Sequence, residues 1–146
     1  MQVTMINTLK DEESRELLTE ERIGRLGCVA DNEPYVVPVN YIYDGESALV
    51  HSLPGKKIIA MRLNPRVCLQ VDRIESDFGW SSVIAYGNYE EITNRAERSH
   101  ALDLLLKRFP QLTPVETLIA EDAMAPAPIL FRIRIDRLSG VSQTFW

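Results

Sequence analysis

Apolar and polar positions alternate along much of the chain between residues 22 and 92, with the period of two that marks β-strands. Residues 35–43 are the clearest case. Tyr35, Val37, Val39, Tyr41 and Tyr43 fall on one face, and Val36, Pro38, Asn40 and Ile42 on the other. Residues 22–30 read as the preceding strand, with a turn at residues 31–34 between the two. Asp44-Gly45 is a hairpin signal, because glycine accepts positive φ without penalty, and residues 48–52 form the returning strand. Leu53-Pro54-Gly55 breaks that strand. Residues 56–63 have helical character, and Asn64-Pro65 stops them. Residues 66–72, with Val67, Leu69 and Val71 on one side, and residues 80–92 are two more strands, with a turn at residues 76–79.

The flanks change pattern. Residues 11–21 carry Leu17 and Leu18 among many charges and predict a short, acidic, exposed helix. Asn94 and Glu97 have the spacing of a capping box, opening a helix through Leu102, Leu105, Leu106 and Phe109 that Pro110 ends. Thr113-Pro114-Val115-Glu116 repeats that start for a shorter helix. Residues 123–128 are an Ala/Pro linker, and Ile129, Phe131, Ile133 and Ile135 alternate in a last strand. The expectation is a mainly β domain spanning residues 1–146, with an N-terminal helix within 1–21 and a helical insertion at 94–120. About six strands joined by tight turns imply antiparallel pairing, and closure into a barrel removes exposed edges.

Composition narrows the classes. Of 146 residues, 45% are hydrophobic and 25% charged, enough apolar surface to exclude a disordered chain. Lys and Arg number 16 against 21 Asp and Glu, a net charge of −5, which argues against a general nucleic-acid binder. No apolar run approaches the roughly 20 residues needed to span a bilayer. Residues 1–9 lack a signal peptide's basic start and apolar middle, so a cytoplasmic location is expected. Cys28 and Cys68 lie in apolar stretches and read as reduced, buried thiols. Two His and two Cys are too few for a clustered metal site. No Gly-x-Ser-x-Gly or paired-carboxylate motif points to hydrolysis.

The charge is unevenly placed. Lys56, Lys57, Arg62, Arg66 and Arg73 follow His51, opposed in that stretch only by Asp72. Ser52 and Gly55 stand at the start of the helix at 56–63, where backbone N–H groups and the helix dipole favour an anion. With two ammonium groups beside them, they suit a phosphate monoester. A solvated basic face is the alternative, with Arg62 and Arg66 paired to the acidic N-terminal helix. His51 is either a structural histidine or a neutral ring that hydrogen-bonds a cofactor or substrate. His100 reads as surface. Pro38 lacks a ladder donor and marks an edge or an irregular point, with Asn40 on the same face. Trp80 and Tyr86 share a face and either stack on a planar ligand or fill a core or dimer interface.

Taken in order, Arg22-Ile-Gly-Arg-Leu-Gly27, Pro34-Tyr-Val-Val-Pro-Val-Asn-Tyr41, His51-Ser52 with Gly55-Lys-Lys57, and Leu63-Asn-Pro-Arg-Val-Cys68 resemble one group. Trp80-Ser-Ser-Val83 with Tyr86-Gly87, and Phe131-Arg-Ile-Arg-Ile-Asp136, continue the match. The group is the pyridoxamine 5′-phosphate oxidase-like, FMN-binding split-barrel proteins, and the resemblance is strongest to their nitroimidazole-resistance reductase branch. It implies a six-stranded antiparallel split β-barrel of Greek-key type, working as a homodimer with FMN at the subunit interface. It sets Pro38, Val39, Asn40 and Tyr41 along the flavin, and His51, Ser52, Lys56 and Lys57 at its edge and phosphate. Trp80, Ser81 and Ser82 would border the site from the same or the partner subunit. The activity implied is FMN-dependent oxidoreduction of a small planar acceptor, such as a nitroaromatic or a quinone, with electrons from NAD(P)H and His51 near the reactive edge. The alternatives are a flavin or haem carrier or sensor without turnover, a deazaflavin binder, and a dimeric scaffold without cofactor. The chain lacks the C-terminal Trp-containing, Arg-rich motif of authentic pyridoxamine phosphate oxidases, so vitamin B6 oxidation is not expected.

Overall fold

The computed structural model of the chain describes residues 4–112 and 128–145. The order along the chain is β1 (Thr4–Thr8), α1 (Asp11–Glu20), β2 (Ile23–Ala30), β3 (Glu33–Asn40), β4 (Ile42–Tyr43), β5 (Ser47–Ser52), α2 (Lys56–Leu63), β6 (Arg66–Ser76), β7 (Gly79–Glu91), α3 (Arg95–Arg108) and β8 (Ile129–Phe145). The strands form one antiparallel sheet in the order β3-β2-β6-β7-β8-β5-β4, with β1 added against β8. β3 comes into contact with β5, so the sheet curls toward closure. The antiparallel barrel class expected from the sequence is present.

Two features depart from expectation. Eight strands are seen rather than six, because β4 continues β3 past a break at Tyr41 and β1 is an additional strand. β8 also runs to Phe145, its first half pairing β5 and its last residues pairing β1. The second departure is α1, which is not simply exposed. Ser14, Leu17 and Leu18 are buried, and the two leucines join the barrel core. The shorter helix expected from Thr113 and most of the linker lie outside the described residues.

The core follows the alternation. Val39, Tyr41, Val67, Leu69, Val71 and Phe131 point inward, and α1 and α2 close the ends with Leu18, Ile58 and Met61. A second cluster of Leu49, Ile92, Leu105 and Leu130 lies under α3, whose start is capped as its sequence predicts, Asn94 accepting from the Glu97 N–H at 3.0 Å. The ladder between β7 and β8 slips at Tyr86/Gly87. A Cβ at Gly87 would be pressed into the backbone carbonyl of Arg134, so the irregularity is tied to glycine.

Cys28 points into the core, while Cys68, in register with Gly27, lies on the outer face. Both are free thiols, and burial raises the pKa of each. No helix among the described residues is long and apolar enough to cross a membrane.

Candidate functional site

The basic segment resolves into two kinds of cation. Arg62 is hydrogen-bonded to Glu91. Arg66 forks onto Asp136 at 2.6 and 3.0 Å. Arg73 bridges Glu20 at 2.7 Å and Glu21 at 3.0 Å. Only Arg73 therefore pairs with the acidic end of α1, a role that the sequence suggested for Arg62 and Arg66. No carboxylate among the described residues pairs with Lys56 or Lys57. Lys56 instead holds its Nζ 5.1 Å from the centre of the Tyr35 ring.

These two lysines open α2. Ile58, Ala60 and Met61 are buried and seat the helix against the barrel. Gly55 takes an extended backbone at φ 179°, and no side chain caps the first turn. A Cβ at Gly55 would meet nothing within 4 Å. The first turn of α2 therefore carries two lysines and no acid, and no side chain caps its N–H groups. This donor set fits a phosphate.

Adjacent residues on β5 diverge. Ser52 is buried on the Val50 face and donates to the Leu53 carbonyl at 2.8 Å. His51 is half-buried, and strand alternation puts it on the Leu49 face, which α3 covers. The structure thus separates His51 from Ser52 by the thickness of the strand.

Pro38 and Asn40 are exposed on the outer face of β3, an edge of the sheet. Val39 and Tyr41 face the core. The Tyr41 hydroxyl donates to the Leu18 carbonyl at 2.6 Å, and burial raises its pKa well above the ordinary tyrosine value. Its side chain is thus occupied in the core, and only its backbone lies along the strand.

Alternation also splits the Trp80 group. Ser81 faces inward, sharing a small cleft with Leu17 and Arg73. Trp80 and Ser82 face outward with Ile84 and Tyr86. Ser82 Oγ accepts from Gln70 at 3.0 Å, and Gln70 also donates to Asp72, which Arg25 pairs at 3.0 Å. Six strand positions separate Trp80 from Tyr86, about 20 Å at the usual rise. One chain therefore does not bring Trp80 and Ser82 to the groove that Tyr86 lines.

Two grooves meet at Val29, and Lys56 lines the larger of them. An apolar one of about 360 Å³ runs over Tyr35, Val36, Cys68 and Tyr86. A larger one of about 740 Å³ lies between α2 and the β2–β3 turn, lined by Val29, Asn32, Ile59 and Leu63. The turn has both central residues at positive φ, Asp31 at 54° and Asn32 at 63°, the geometry that fits two strands' twist. Sequence reasoning missed Ile59 and Leu63. The available signal was an excess: α2 has more apolar positions than one buried face needs, and this pair, four residues apart, is left 61% and 82% exposed.

Comparisons with known proteins agree on the fold. The family model described as pyridoxamine 5′-phosphate oxidase matches residues 10–142. An uncharacterized protein of Rhizobium meliloti is 33% identical over 141 residues, covering 92% of this chain and 93% of that one. The crystal structure of an FAD-binding protein from Mesorhizobium loti has 36% identity and a TM-score of 0.78, over 97% of this chain and 99% of that chain. A candidate 5-nitroimidazole antibiotic resistance protein of Bacteroides thetaiotaomicron has 19% identity and a TM-score of 0.74, over 98% and 91%. At that identity it is a likeness of fold.

Proposed function

The chain belongs to the pyridoxamine 5′-phosphate oxidase family, and we propose that it is a flavoprotein whose site holds FMN through Lys56, Lys57, the first turn of α2 and, once its hydroxyl turns from the Leu53 carbonyl, Ser52. The observation that carries this reading is the lysine pair, without a carboxylate partner among the described residues, beside an uncapped helix start. The flavin-binding relative supports the coarser assignment to flavin. Pro38, Val39, Asn40 and Tyr41 would offer the strand against which the ring lies, through backbone groups and the Asn40 amide. His51 would bear on the substrate rather than the phosphate, since it stands on the other face of β5 from Ser52.

Bound flavin would supply two-electron transfer from NAD(P)H to a small planar acceptor, a nitroaromatic or a quinone, making the protein a cytoplasmic oxidoreductase. The residues' part is to anchor and orient it. A homodimer completes the site in this reading, with Trp80, Ser81 and Ser82 reaching it from the partner subunit.

The test is direct. Purified protein should show a flavin absorbance spectrum or take up added FMN. Replacing Lys56 and Lys57 together with Ala should weaken FMN binding at least tenfold by fluorescence titration, since charge-assisted hydrogen bonds contribute about 1.5–3 kcal/mol each. Unchanged affinity in that variant would remove the phosphate assignment, and a Soret band would point to haem instead.

A further inference from the structure

We propose that the cleft between α1, the β4–β5 hairpin and β8 binds a short peptide with free amino and carboxyl ends. This inference does not rest on the flavin reading. One edge of β8 is taken by β7, and the other is shared by two strands. β5 pairs it as far as Arg134, and β1 pairs it from Val141. Between them, no strand among the described residues pairs that edge. The gap is bounded by two hydrogen bonds, from the Ile135 N–H to the Glu46 carbonyl at 3.3 Å and from the Leu9 N–H to the Gly140 carbonyl at 2.9 Å. A cleft of about 580 Å³ opens there, lined by β8 from Arg134 to Leu138, and its size is that of a small-molecule site. An unpaired strand edge offers backbone donors and acceptors to an extended peptide.

The charges around the cleft select a zwitterion. Arg15, Arg134 and Arg137 line it together with Asp11, Glu46 and Asp136. Two of these six are already paired, Arg134 with Glu90 and Asp136 with Arg66. The other four hydrogen-bond to no opposite charge among the described residues. Arg15 is held by neutral groups, the Tyr43 hydroxyl at 2.8 Å and the Gly45 carbonyl at 3.4 Å. The Arg137 guanidinium lies 4.0 Å from the centre of the Tyr86 ring. A simple anion entering the cleft meets two acids, and a simple cation meets two arginines. A peptide presents each of its ends to the opposite charge. Tyr43, Ile135 and Leu138 supply apolar ground for a side chain between those ends. The cleft lies at the Ser47 end of β5, five strand positions from Ser52, or about 17 Å at the usual rise. It is thus separate from the lysines of α2.

Isothermal titration calorimetry with an alanyl-leucine dipeptide tests this on the purified protein. The dipeptide is expected to bind, and acetylating its amino end or amidating its carboxyl end should each weaken binding at least fivefold, because each removes a charge-assisted contact. Asp11→Asn with Glu46→Gln should abolish the difference between free and acetylated peptide. Arg137→Gln should reduce the difference between free and amidated peptide. All three positions are exposed, and an unchanged melting temperature confirms the fold. Absence of binding to the unaltered protein at millimolar dipeptide overturns the inference. Either capped form binding as tightly as the free dipeptide overturns the zwitterion assignment. Capping effects that persist undiminished in both variants overturn the location. Each of these results leaves the flavin reading standing, since FMN binding is measured separately.

Discussion

Tyr41 joins α1 to the barrel. Its ring is fully buried and its hydroxyl reaches the Leu18 carbonyl at the C-terminal end of α1. Desolvation disfavours the phenolate, which is why its pKa lies above the ordinary value. Removing only the hydroxyl leaves a buried carbonyl without its partner, a cost of about 1–3 kcal/mol. Tyr41→Phe should therefore lower stability by that order in urea denaturation and leave flavin affinity unchanged. A large loss of flavin affinity in a stable Tyr41→Phe protein would mean that the side chain, rather than the strand backbone, meets the ligand. The neighbouring Asn40 faces the opposite way and is exposed. One residue's step along β3 thus separates a core function from a surface one.

At the scale of elements, charge pairs tie β7 and β8 to each other and to α2 and β6. Arg132 and Arg134 converge on Glu90, Arg62 and the Tyr89 hydroxyl meet Glu91, and Arg66 forks onto Asp136. Hydrogen bonding from Arg134 holds the Glu90 carboxyl below its ordinary 4.5, and Arg62 does the same for Glu91. A carboxyl with a depressed folded pKa stabilises the fold above its unfolded value and loses that contribution as pH falls through the folded one. The pairs are partly exposed, so each contributes about 1 kcal/mol or less. Glu90→Gln with Glu91→Gln should lower the melting temperature at pH 7, and the gap to the unaltered protein should narrow by pH 3. A gap that stays constant would assign the loss to packing instead. The same elements show what the sequence could and could not disclose. The inner face of β3 was legible because large residues recur at every second position. The bounds of α2 were legible because Gly55 and Asn64-Pro65 punctuate it. β1 was not, since Met5 and Ile6 are 40% and 63% exposed and the strand exists through a ladder to residues 141–145. The basic segment was legible as charge. Its division into paired arginines and available lysines was not, because the partner of Arg66 lies 70 residues away.

For the whole molecule, the helices are unevenly distributed. α1 and α2 plug the barrel ends and α3 lies over β5 and the first residues of β8, so that no described helix joins a core cluster on the outer face of β2, β6, the middle of β7 and the later half of β8. Cys68, Ile84, Tyr86 and Val141 are half-buried there, around the bonded group of Arg25, Asp72, Gln70 and Ser82. A face with an apolar centre and a satisfied polar network suits burial against a second copy of itself. The same pairing resolves the distance between Trp80 and Tyr86. Two chains related by a two-fold axis can place one chain's Trp80 and Ser82 near the other's Lys56, whereas a single barrel keeps them apart. Dimerisation and flavin binding should then fail together. Ile84→Arg puts an unpaired charge in the centre of the face while leaving the inner face of β7 intact. It should convert a dimer to a monomer in size-exclusion light scattering, keep the far-ultraviolet circular dichroism of the unaltered protein, and reduce flavin affinity at least tenfold. A monomer that still binds flavin with full affinity would show that each barrel carries a complete site of its own.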